Sequence, residues 1–160
     1  MDHPNYITPA GHAALIARHI HLFQVERPQI VETVSWAAGN GDRSENGDYI
    51  YGRKRLREID RELSWISKRL KAAVVVGPAA QPDKRRAFFG ATVCYVEEDD
   101  TERTVTLVGE DEIDIDKGRI SLRSPVAIAL KSAAAGDTRV LKLPGGNREV
   151  EILAVTYPDQ

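Results

Sequence analysis

The run Gly39-Asn40-Gly41-Asp42-Arg43-Ser44-Glu45-Asn46-Gly47-Asp48 holds two carboxylates, Asp42 and Glu45, three residues apart in a polar, glycine-rich turn between two long periodic segments. Carboxylates presented this way suit Mg²⁺, which commonly takes one or two protein oxygens and fills its remaining positions with water or phosphate. Two ligands hold such an ion weakly, so a functional reading needs a second macromolecule to complete the shell. The same residues also suit helix N-capping and offset of the helix dipole, and spacing alone does not decide between the two.

The segment after this turn carries a second chemical signal. At ~100° per residue, Arg53, Lys71, Arg57, Lys68, Arg61 and Lys54 fall within one arc of about 100° on a helix, and no acid falls inside it. An ordinary solvated face mixes signs to gain i,i+4 pairs, as Arg55, Glu58, Glu62 and Arg69 do elsewhere on the same segment. Geometry alone leaves two readings of a one-sign arc, a solvated face or a side facing a polyanion, for which nucleic-acid phosphates are the natural target. Trp65 falls beside the arc, placed either to stack on a partner or to cover a neighbouring domain. The histidines give no metal site: His19 and His21 face opposite sides of a helix, and His12 and His19 stand about 10 Å apart along it. Cys94 lies in a strand-like run without a nearby His and reads as a structural thiol. No phosphate-binding glycine loop, serine elbow or His-Glu-x-x-His motif occurs, so a self-contained enzyme is not expected.

These residues need a rod to carry them. Leu56, Ile59, Leu63, Ile66 and Leu70 form a heptad seam, and Ile16, Ile20, Phe23, Ile30, Val34 and Ala37 fit the same period in the preceding arm, with Arg27 interrupting. Two such arms joined by a polar turn predict an antiparallel helical hairpin (a coiled coil) over residues 1–77, about 45 Å long. Pro28 should bend or loosen the first arm near residues 24–28. A linker follows at 78–84, and the period then changes to two. Strands are expected at Phe89–Val96, Thr104–Val108 and Arg119–Leu122, then a short helix capped by Ser124-Pro125, then a hairpin of Arg139–Leu143 and Glu149–Tyr157 around residues 144–147. The fold class is α+β: the hairpin, then a small antiparallel sheet domain with one helix over residues 85–160.

The chain has 160 residues with 22 basic and 24 acidic side chains. The near-neutral balance hides strong local polarity: residues 53–71 hold eight basic and three acidic side chains, whereas 97–116 hold one and ten. No apolar window approaches the ~18 residues of a membrane span. A single cysteine excludes an internal disulfide, in keeping with a reducing cytoplasm.

Taken together, Ser35 to Asn46, Asp48-Tyr49-Ile50-Tyr51 and Arg53 to Asp60 closely resemble the Gre family of bacterial transcript-cleavage factors, in particular its GreB branch. The similarity extends to Glu26-Arg27-Pro28, Phe88 to Ala91, Val108-Gly109, Asp111-Glu112-Ile113, Ile120-Ser121, Ser124-Pro125 and Gly136-Asp137. The resemblance implies that the hairpin enters the secondary channel of RNA polymerase and that Asp42 and Glu45 help hold a Mg²⁺ ion jointly with the polymerase, none being bound tightly by the free protein. That ion activates water to cut backtracked RNA, in two-metal fashion. Arg53, Lys54, Arg57, Arg61, Lys68 and Lys71 would face RNA near its 3′ end. An FKBP-like C-terminal domain would dock on the channel rim through Ser124 and Pro125. A monomer without membrane contact is the expectation. The sequence departs from the family pattern at Arg123, where an acid is usual, and at Gly47, where alanine is usual. A paralogue that occupies the channel without stimulating cleavage is the alternative; a peptide-binding module with a chaperone-like arm and a stand-alone Mg²⁺ nuclease are the competing classes.

Overall fold

The computed structural model describes residues 5–39, 46–77 and 81–158. The elements run β1 (Asn5–Ile7), α1 (Pro9–Ile20), a π-helical segment (His21–Glu26), α2 (Arg27–Ala38), α3 (Gly47–Ala72), β2 (Ala73–Val75), β3 (Thr92–Glu97), β4 (Glu102–Val108), β5 (Arg119–Ser121), α4 (Pro125–Leu130), β6 (Thr138–Leu143) and β7 (Gly146–Thr156). This is the expected α+β class. The chain divides into two compact units, Ala13–Ala72 and the remainder.

In the helical unit α3 buries Ile59 and Ile66, with Leu63 and Leu70 packed beside them, as its heptad requires. Arg18 near the start of the first stretch pairs with Glu62, while Glu26 and Arg27 further on pair with Arg55 and Asp60, so later residues of one stretch meet earlier residues of the other and the two pack antiparallel. The seam of the first stretch differs from expectation. Leu22 is fully buried, with Leu15 and Ile30 packed on the same cluster, whereas Ile16, Ile20 and Phe23 are exposed. The intervals Leu15 to Leu22, Leu22 to Ile30 and Ile30 to Ala37 are seven, eight and seven residues. The extra residue lies in the π-helical segment, whose wider turn inserts one position into the repeat. Pro28 accounts for this: it has no N–H for the carbonyl of Gln24, and its ring crowds that carbonyl in regular α-helix. Counting back from Ile30 in sevens therefore lands on Phe23 and Ile16, one residue out of phase.

A Cβ on Gly52 would collide with the Val34 side chain, so the arms approach closely where α3 has no side chain.

The other unit is a five-stranded sheet in the order β5-β4-β3-β7-β6, with a separate two-stranded sheet of β1 and β2. The sheet is mixed rather than purely antiparallel, because β5 runs parallel to β4; the short turns between Glu110 and Lys117 carry the chain back to start β5 in the same direction. The β6–β7 connection is tighter than expected: Leu143 pairs with Gly146, leaving Pro144-Gly145 as a two-residue turn. Val93, Tyr95, Leu107, Leu141, Val150 and Ile152 from the sheet meet Ala127 and Leu130 of α4 in one core. Cys94 is partly buried within β3. Tyr157 ties the last strand to the segment ahead of the first: its hydroxyl accepts from Phe88 N–H at 2.9 Å and donates to the Arg86 carbonyl at 2.6 Å.

The division between units falls elsewhere than at residue 77. Residues up to His12 and from Ala73 onward group with the sheet, because β1 pairs in parallel with β2 and a polar clamp fixes β1. Thr8, 1% exposed, donates from its N–H and its Oγ1 to the Glu112 carboxylate, each at 2.6 Å, while Oγ1 accepts from Gly11 N–H. Thr8 thus caps α1, and Glu112 serves the Thr8 N–H as the third helical residue does in a capping box, but from 104 positions away. Asn5 Nδ2 donates to Asp111 at 3.0 Å. Gly109 lies so close to the Tyr6 carbonyl that any Cβ would overlap it.

Candidate nucleic-acid interface

Asp42 and Glu45 lie outside the described residues; the two helix ends that bracket them are defined. Asn46 Nδ2 donates to the carbonyl of buried Ala37 at 2.8 Å, and its Oδ1 accepts from Tyr49 N–H at 3.2 Å. One side chain therefore caps the start of α3 and ties it to the end of α2, fixing both ends of the 40–45 segment. Among the described residues no group of three or more His, Cys, Asp and Glu side chains is placed to hold a metal.

The helix α3 brings the six expected cations together on its surface: Arg53, Lys54, Arg57, Arg61, Lys68 and Lys71 are all exposed. Among the described residues none has a carboxylate partner; Arg53 instead donates to Tyr49 Oη at 2.9 Å and lies over its ring. The acids of the same stretch are committed elsewhere. Glu58 binds Arg55, Asp60 binds Arg27 at 2.9 Å, and Glu62 binds Arg18 at 2.9 Å. Glu62 thus reaches the other arm instead of pairing along its own helix. Hydrogen bonding to Arg18 holds the Glu62 carboxyl below the usual glutamate range, and bonds to Glu62, Asp60 and Glu26 raise Arg18, Arg27 and Arg55 respectively. Glu58, Asp60 and Glu62 are thus each turned toward an arginine outside the stripe, and among the described residues none of them offsets its charge. Beside it a groove of ≈310 Å³ is lined by Arg27, Val34, Tyr49, Arg53, Arg57 and Asp60.

In the sheet unit Ser124 is the N-cap of α4, accepting from Ala127 N–H at 3.2 Å and donating to the Ser121 carbonyl at 2.7 Å. Pro125 is exposed in the first turn. The Ser124 hydroxyl is therefore engaged within the protein, and Pro125 is the outward surface. Arg123 approaches Glu110 at 3.9 Å. A mostly apolar cavity of ≈910 Å³ opens next to this helix, between Phe88, Leu107, Leu122, Ala127, Ile128 and Tyr6.

Two features escaped the sequence reading. The Thr8–Glu112 clamp joins residues too far apart for any local pattern, although Asp111-Glu112 was visible as part of a family motif. Arg69 lies over the Trp65 ring, a pairing that their i,i+4 spacing on one helix could have signalled.

A helical unit with exposed cations along α3 and a separate sheet unit make this a two-unit α+β protein. Residues 5–75 match the N-terminal domain, and residues 81–157 the C-terminal domain, of the transcription elongation factors GreA/GreB. The chain belongs to this family. Transcription elongation factor GreB of Neisseria meningitidis serogroup B is 54% identical over 153 residues, covering 96% of this chain and 94% of that protein. GreB of Yersinia pestis is 43% identical over 157 residues, covering 98% and 91%. A solved GreA/GreB structure from Nitrosomonas europaea, 22% identical, covers 98% of this chain and 100% of that one at a TM-score of 0.42. The protein is a GreB-like elongation factor, accessory to RNA polymerase and not itself an enzyme. The alternative of a purely channel-occupying paralogue is not favoured.

Proposed function

We propose that this protein acts as a monomer in the cytoplasm, placing its helical arm, a coiled-coil hairpin, in the secondary channel of RNA polymerase to stimulate the polymerase's own cleavage of backtracked RNA. Asp42 and Glu45 contribute carboxylate oxygens to a Mg²⁺ ion shared with the polymerase active site; that ion supplies Lewis acidity and an activated water. The stripe from Arg53 to Lys71 lies along the extruded RNA near its 3′ end. The sheet domain, FKBP-like in its small sheet and single helix, docks on the channel rim through the Ser124-Pro125 turn of α4, with Pro125 making the contact.

The observation that carries this reading is the segregation of charge on α3. Six exposed cations share one face while Glu58, Asp60 and Glu62 are held by Arg55, Arg27 and Arg18. A helix built only to be soluble has no need to keep its acids away from its bases. The test is cleavage of RNA in purified backtracked elongation complexes, with and without this protein. Stimulation in the complexes, and none when the protein meets free RNA and Mg²⁺ alone, supports the reading; unchanged cleavage in the complexes contradicts it.

A further inference from the structure

Among the described residues Trp65 has no packing role that accounts for its place. It is 51% exposed and absent from the Leu22, Ile59 and Ile66 cluster that holds the helical arms together. On α3 it stands at about 120° from Arg53, at the border of the cationic arc. Arg61 lies one turn before it and Lys68 one turn after, both exposed. The Arg69 guanidinium sits 6.0 Å from its ring centroid, a cation–π contact that orients the indole and leaves much of its surface in water. An exposed aromatic face flanked by exposed cations is what an unpaired nucleobase with its phosphates recognises: the ring stacks and the cations neutralise. A duplex buries its base faces, so the arrangement selects single strands.

We propose that Trp65, set by Arg69 and flanked by Arg61 and Lys68, is a base-stacking station for single-stranded RNA. This rests on the reading of the stripe as the RNA-facing side and adds a contact to base in place of phosphate. Trp65 lies 18 residues beyond Gly47, about 27 Å along the helix.

The test begins without polymerase, so it holds whether or not cleavage is stimulated. In a W36F protein, where Trp65 is the sole indole, emission is titrated with a single-stranded oligouridylate and, separately, with inorganic polyphosphate. Oligouridylate should quench Trp65 strongly and polyphosphate little. W65L should weaken oligouridylate binding about five- to hundredfold while leaving polyphosphate binding within about twofold; W65F, which keeps a ring, should stay close to the parent. Circular dichroism melts establish that each variant folds. Equal quenching by both polyanions, or unchanged RNA affinity in W65L, overturns the proposal. So does a W65L protein that loses affinity for polymerase and not for RNA, since Trp65 is then a protein contact.

Discussion

Removing the Glu112 carboxylate should release the pairing of β1 with β2. Glu112 accepts two hydrogen bonds at 2.6 Å from Thr8, which is 1% exposed. Hydrogen bonds to a charged acceptor contribute ~1.5–3 kcal/mol each, and a buried donor left without a partner costs ~1–3 kcal/mol. Water reaches the partly exposed Glu112 and recovers some of this, so E112A should cost about 2–4 kcal/mol. T8A removes the hydroxyl bond and the cap on Gly11 N–H but keeps the backbone bond to Glu112, for about 2–3 kcal/mol. Because one of the two bonds survives in T8A, the coupling in a double-mutant cycle measures the hydroxyl–carboxylate bond alone and should reach about 1.5–2.5 kcal/mol. Urea unfolding of the four proteins gives the cycle. Exchange of the Val76 amide, bonded to the Ile7 carbonyl at 2.8 Å, reports the strand pair locally and should accelerate in E112A. A coupling below about 0.5 kcal/mol, or Val76 exchange unchanged in E112A, would refute the clamp.

In the helical unit, G52V forces a branched side chain onto Val34 and should cost about 1–3 kcal/mol, much of it recovered by adding V34A; urea midpoints followed by tryptophan emission decide this, since Trp36 and Trp65 both lie in that unit. The depressed Glu62 carboxyl gives a pH dependence with a definite sign: its contribution is fully present above the unfolded glutamate range and is lost as pH falls through the lower, folded value. Both partners are partly exposed, so the pair contributes only ~0.2–1 kcal/mol, and E62Q should be slightly less stable than the parent at pH 7 with the difference vanishing in acid. A difference that grows on acidification contradicts the Arg18–Glu62 assignment.

The α3 seam was legible because Ile59 and Ile66 keep an unbroken heptad to the core, and the stripe was legible because a helical wheel needs only a regular helix. The first arm lost its phase at His21–Glu26, where Pro28 forces a π-turn and a single inserted residue exchanges Leu15 and Leu22 for Ile16 and Phe23. Pro28 itself was read correctly as a disturbance, but the kind of disturbance depends on tertiary packing. The strands β1 and β2 have three residues each, too few for a period to declare itself, and their pairing joins positions nearly 70 apart. The parallel placement of β5 follows from the turns before it, not from its own composition. Of the candidate site, the cations and the Ser124 cap stand where spacing put them. What spacing could not supply is the pairing on α3, in which Asp60 and Glu62 reach Arg27 and Arg18 of the first arm while Glu58 stays with Arg55 on its own helix.

The most direct test of the central claim replaces Asp42 and Glu45 together by Asn and Gln, which retains shape and removes charge. Stimulated cleavage of backtracked complexes and affinity for RNA polymerase are measured on the same preparations. The account predicts loss of stimulated cleavage, at least a hundredfold in rate, with polymerase affinity within about threefold of the parent. Cleavage retained by the doubly substituted protein, or cleavage and affinity lost in equal proportion, would contradict it.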